Sequence, residues 1–146
     1  MSMTNAAEQA FLDLLFINID WANIGDASGL QNSAVDGSFY ISLHTADPGE
    51  SGDQTSNETS YTGYARAAIV RGSTGWVRAA STVSNNVSIS FPQCTGGFAS
   101  ISHFGIGTAS TGAGNLLMKG TLTSTLAVSS GIQPQFVIGS LTAAVD

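Results

Sequence analysis

Apolar and polar positions follow two different periods along this chain. Over residues 6–21 (AAEQAFLDLLFINIDW) the spacing is helical: Phe11, Leu14, Leu15 and Asn18 share one side, and Leu12, Phe16 and Ile19 share an adjoining one. This predicts an N-terminal helix, capped by Thr4 or Asn5, with Glu8 placed for a capping box with Asn5. Its apolar arc is wide, so it has more than one side to bury, in its own core or against a neighbouring subunit. Residues 23–37 are rich in Gly, Asn, Ser and Asp and predict a loop with a short helical turn near Leu30.

After Gly37 the period falls to two. SFYISLHT at 38–45 alternates as a strand, and further strands are predicted at 63–71, 76–79, 87–91, 99–108, 116–123, 126–128, 136–138 and 141–145. In 87–91 the residues Val87, Ile89 and Phe91 fall on one face. Turn signals separate the strands and no helix intervenes. The pattern predicts an all-β fold, an antiparallel sandwich or jelly roll led by a helix. One domain is expected over 1–146, with 1–37 as helix and arm and 38–146 as the sandwich. Residues 46–62 (ADPGESGDQTSNETSYT) form a long polar, acidic connection, and a loop of that length is usually functional or mobile.

Charge narrows the function. Only 10% of the 146 residues are charged, and the formal net charge is −6. Arg66, Arg71, Arg78 and Lys119 are the only basic side chains, too few and too scattered for a phosphate-binding patch, so nucleic acid is not an expected partner. No apolar run reaches the ~20 residues that span a bilayer. A surface so poor in charge suits a chain whose faces are covered by neighbours in a homo-oligomer or other symmetric assembly.

Motifs for chemistry are missing. His44 and His103 sit in predicted strands and read as hydrogen-bonded structural histidines, with Asp47 in reach of His44. The lone Cys94 reads as a buried thiol. Gly105-x-Gly107 and Gly112-x-Gly114 open no helix after a strand and lack a following Lys-Ser or Lys-Thr, so they read as turn glycines or close backbone approaches. The acidic residues of 46–62 lack the order of a calcium loop. No catalytic residue, cofactor or metal is expected. Phe39, Trp76, Phe91 and Phe104 read as core, and Arg66 as the partner of a carboxylate.

Four blocks carry a resemblance: WANIGD at 21–26, YISLHTADPGE at 40–50, YTGYAR at 61–66 and HFGIGT at 103–108, in this order. From residue 6 to the C-terminus the chain closely resembles a family of small tailed-phage and prophage proteins labelled phage tail fibre proteins. The resemblance implies a virion component made in the host cytoplasm. The chain has no repeat, no heptads and no collagen-like stretch, so it is no fibre shaft. A compact β domain with an arm and a long loop is also similar to capsid decoration (cement) proteins. These sit on the capsid exterior and clamp neighbouring major capsid protein subunits. The sequence favours that reading, with copies of itself and the major capsid protein as partners. A tail fibre or other tail or neck part, bound to tail proteins or a host receptor, is the alternative. The candidate contact residues are Phe16, Trp21, Leu30, Asp47, Glu50 and Tyr61, since large aromatics anchor interfaces.

Overall fold

The N-terminal helix forms but ends early. The computed structural model describes residues 2–145, and in it α1 covers Asn5–Leu12, followed by a π-helical turn over Asp13–Ile17. Thr4 is the cap, its Oγ1 accepting from the Ala7 N–H. Asn18 takes a left-handed φ of 64° and stops the helix. The apolar period continued to Trp21 in the sequence, but backbone geometry at Asn18 overrides it. Among the described residues nine strands follow: β1 (Ser38–His44), β2 (Ala67–Val70), β3 (Trp76–Ala79), β4 (Thr82–Asn85), β5 (Ile89–Ser90), β6 (Phe98–Gly107), β7 (Leu116–Ser129), β8 (Gln135–Phe136) and β9 (Thr142–Ala144). The fold is all-β and mostly antiparallel with one short N-terminal helix. Sheet orders are β2-β1-β6-β7, β3-β4-β9 and β5-β8.

The chain divides into two compact units. One comprises the stretch ending at Ser38, Val70–Ser88 and the stretch from Phe136. Its core holds Leu12, Phe16, Trp76 and Val83, all 0% exposed, with the Phe16 and Trp76 rings edge to face at 4.7 Å. Three of the carbonyls freed at the helix end are taken by residues far along the chain. Arg71 donates to Leu14 O and Leu15 O, and the Gly72 N–H donates to Phe16 O at 2.7 Å. Strand β4 was not legible, because TVSN contains one apolar residue; its second inward position is Asn85, fully buried. Asn85 Nδ2 donates to Val87 O and Val137 O, and its Oδ1 accepts from Leu141 N, so a polar side chain fills a core position with every bond made.

The other unit comprises Phe39–Ile69 and Ile89–Gln135. Ile41, Leu43, Phe91, Ile101, Ile106 and Val128 fill its interior. Ile41 pairs with Ile106 and Leu43 with Phe104 across β1 and β6. The two strands expected at 116–123 and 126–128 are one, β7. Its register on β6 jumps from Ile101↔Leu126 to His103↔Thr121, a bulge that absorbs the extra β7 residues without ending the strand. The strand expected at 63–71 starts only at Ala67, after a turn in which the Tyr64 N–H donates to Tyr61 O and Gly63 takes φ 97°. Of the face expected for 87–91, Ile89 and Phe91 are buried, whereas Val87 is 37% exposed. Phe104 is half-buried and lies over Gly120, where a Cβ would sit 2.5 Å from its Cζ.

Candidate interaction surface

The six residues singled out from the sequence separate by burial. Phe16 is wholly inside its unit against Trp76. Tyr61 is 4% exposed, its hydroxyl donating to Pro92 O at 2.9 Å, and burial pushes its pKa up to about 12. Trp21 is half-buried, and Leu30, Asp47 and Glu50 are exposed. Accessible contact positions among the six are therefore Trp21, Leu30, Asp47 and Glu50, spread over two loops.

The first loop joins α1 to β1. Its expected helical turn is absent. Instead Trp21 and Leu30 form an antiparallel bridge with reciprocal N–H···O bonds of 2.9 Å, and Asp26 Oδ1 accepts from Ser28 N and Gly29 N inside it. Gly29 is required where it stands: a Cβ there would lie 2.1 Å from Trp21 O. Asp20 Oδ1 accepts from Asn32 N, Asn18 Oδ1 accepts from Ser33 N, and Asn18 Nδ2 donates to Ser33 O and Asp36 Oδ1. The loop is thus tied by its own polar groups, and it leaves Ile19, Ile24, Leu30 and Val35 exposed by 42% to 79%.

The second loop, residues 45–66, is anchored from within. Gln54 is fully buried: its Nε2 donates to Tyr40 O and its Oε1 accepts from Ala109 N. Gly107 leaves it room, since a Cβ there would meet Gln54 Cδ at 2.1 Å. Glu58 grips Arg66 through Nε at 2.6 Å and Nη2 at 2.7 Å, and accepts from the Tyr64 hydroxyl; Arg66 also donates to Ala109 O and Gly112 O. The carboxylate beside it raises the Arg66 pKa, and burial raises that of Tyr64. At the surface Lys119 Nζ lies 3.0 Å from both an Asp47 and a Glu50 oxygen. The Gly49 N–H, with Lys119, holds the Asp47 carboxyl below its usual range. Asp53 is lowered likewise by the Thr55 hydroxyl and N–H. The mobile loop expected from composition is instead held at many points.

His44 is buried and does not bond Asp47. Its Nδ1 lies 2.8 Å from Ser56 O and its Nε2 2.8 Å from Ser42 Oγ. A carbonyl accepts only, so Nδ1 carries the proton and Nε2 accepts from the Ser42 hydroxyl. Burial lowers its pKa. Ser42 is equally buried, so this Ser–His pair has no opening to a substrate. Cys94 is buried, donating to Gly96 O at 3.2 Å. In a shallow hollow bounded by Glu58, Tyr64, Arg66, Ser110 and Gly112, the charged groups are bonded to each other and the Arg66 guanidinium also to Ala109 O and Gly112 O. Among the described residues no three His, Cys, Asp or Glu side chains gather in a group that could hold a metal ion, and no helix is long and apolar enough to cross a membrane.

Sequence reasoning missed Gln54, Asn85 and Arg71, the polar residues that fix these segments. The glycines at 107 and 114 were the signals for Gln54, and they are interpretable only once they stand beside it. Compared with known families, residues 2–144 match the model described as podophage GP4 fiber I protein gp80. No curated protein matches the chain.

Proposed function

The chain belongs to the family of podophage GP4 fiber I protein gp80, and from that premise we propose that it is a building block of the phage tail fibre apparatus, acting by binding other proteins and doing no chemistry. The family makes it a structural component of a bacteriophage particle. The finer placement, tail rather than capsid exterior, rests on the fibre description, which weighs against the decoration reading that composition and shape favoured. Its partners are tail proteins and copies of itself.

The observation that carries a binding role is the distribution of apolar surface. Phe98, Val137, Ile138 and Val35 are 60% to 79% exposed on a chain with few charges to keep it dispersed. The polar side chains with catalytic potential, His44 and Ser42, are sealed instead. Labelling the protein in intact particles and counting copies by electron microscopy tests the placement. A small, symmetric number of copies at the tail is expected. Hundreds of ordered copies on the shell would replace this reading with a decoration protein that clamps major capsid protein subunits.

A further inference from the structure

We propose that the loop between α1 and β1 docks onto a different protein of the particle, one whose surface combines apolar side chains with Lys or Arg, and not onto a second copy of this chain. This rests on the virion reading above and specifies the partner's chemistry.

Ile19, Ile24, Leu30 and Val35 are exposed on one loop. Single exposed apolar residues are ordinary. Here, however, they sit on a segment already held in one conformation by Asn18, Asp20, Asp26 and the Trp21–Leu30 bridge. Its order derives from polar bonds rather than from burying those side chains. A partner that covers them gains their desolvation with little further ordering cost.

Charge then selects the occupant. The loop carries Asp20, Asp26 and Asp36 and no Lys or Arg. Its carboxylates accept from neutral donors: Asn32 N, the Ser28 and Gly29 N–H groups, and the Asn18 amide. The nearest cation contact is Arg71, which reaches Ser33 Oγ and is otherwise spent on Leu14 O and Leu15 O. The remaining basic side chains are paired too: Arg66 with Glu58, Arg78 with Asp13, and Lys119 with Asp47 and Glu50. A second copy carries the same net charge of −6 and holds its four basic side chains in bonds of its own, so it is a poor complement to an acidic loop. The complementary cations are better supplied by another polypeptide.

Particles lacking this protein are mixed with the purified full-length chain, retention is read by sedimentation, and location by electron microscopy. Asp20→Asn, Asp26→Asn and Asp36→Asn combined remove the charge but keep each accepting oxygen. The wild type is expected to be retained, less so as salt rises. The triple variant should bind at least about tenfold more weakly, with a flatter salt dependence. Ile24→Ser with Val35→Ser, both exposed positions, should also weaken retention and covers the case in which the triple variant fails to fold. Glu50→Gln, acidic and exposed but outside the loop, should bind as the wild type. Retention of both loop variants at wild-type strength would overturn the proposal, as would self-association of the purified chain that the triple variant abolishes. Retention on the shell would sink the tail placement and leave this inference standing. No retention of the wild type would overturn both.

Discussion

The two long loops are held in place by different means. The loop 45–66 hangs on buried polar anchors, Gln54 and the Arg66–Glu58 pair, and carries the buried Tyr61. The loop 18–37 has no buried residue and closes on itself through side chain to backbone bonds. Buried anchors make a loop part of its unit's stability. Self-made bonds make a loop that can be changed without unfolding its unit and is free to present apolar side chains. On sequence alone the two looked alike, both long and polar, and the longer acidic one looked more mobile.

The largest expected effect breaks an anchor. The Arg66 side chain is 3% exposed and that of Glu58 15%. Arg66→Ala leaves a mostly buried carboxylate unpaired and strips Ala109 O and Gly112 O of their donor. A loss of about 3–5 kcal/mol in urea unfolding is expected. Arg66→Lys should recover little, because one ammonium cannot replace the two-pronged grip on Glu58 and both carbonyls. A loss below about 1 kcal/mol, the range of a surface pair, would mean the second loop is not anchored from within.

Asn18→Ala attacks the self-tied loop. It removes three side-chain bonds and puts alanine at φ 64°. The cost should be about 1–3 kcal/mol and local. Hydrogen exchange of the Asn32 and Ser33 amides should accelerate while the β3-β4-β9 ladder keeps its protection. Loss of protection throughout that unit would show that this loop too is an anchor.

Acid should separate the loops further. His44 holds the second loop through Ser56 O as a neutral ring, and burial lowers its pKa in the folded chain. The unfolded chain, with an ordinary histidine near 6.5, then takes up the proton first. Stability is full above that pH and falls as pH drops below it, by at most about 1.4 kcal/mol per pH unit from this group, levelling off below the folded-state pKa. His44→Gln should remove this component of the slope below pH 6.5, measured by urea midpoints. An unchanged slope would mean that another group titrates there.

How much of this could be read from sequence follows from which residues do the holding. Strand β1 was legible because Phe39, Ile41 and Leu43 take every second position and are all buried. Strand β4 was hidden because Asn85 occupies an inward position that pattern reading reserves for an apolar residue. The helix end was hidden because Asn18 stops it in mid-period, with Arg71 and Gly72 supplying the caps from far along the chain. The family resemblance and the all-β class were visible in order and period. Of the contact residues, Phe16 and Tyr61 were chosen for their aromatic bulk, and bulk serves a core as well as an interface. Burial that depends on distant partners leaves no local trace.

The smallest expected effect is also the most direct test of where the second loop gets its order. Lys119 bridges Asp47 and Glu50 at the surface, and the Glu50 side chain is 94% exposed. Such pairs are screened and lose side-chain entropy nearly as fast as they gain attraction. Lys119→Met should leave the urea midpoint unchanged within error at physiological salt. The loop stays put because Gln54 still bonds Tyr40 O and Ala109 N, and Glu58 still holds Arg66. A loss comparable to that of Arg66→Ala would invert the comparison. The acidic loop would then depend on its exposed charges, and its buried anchors would merely accompany an order set at the surface.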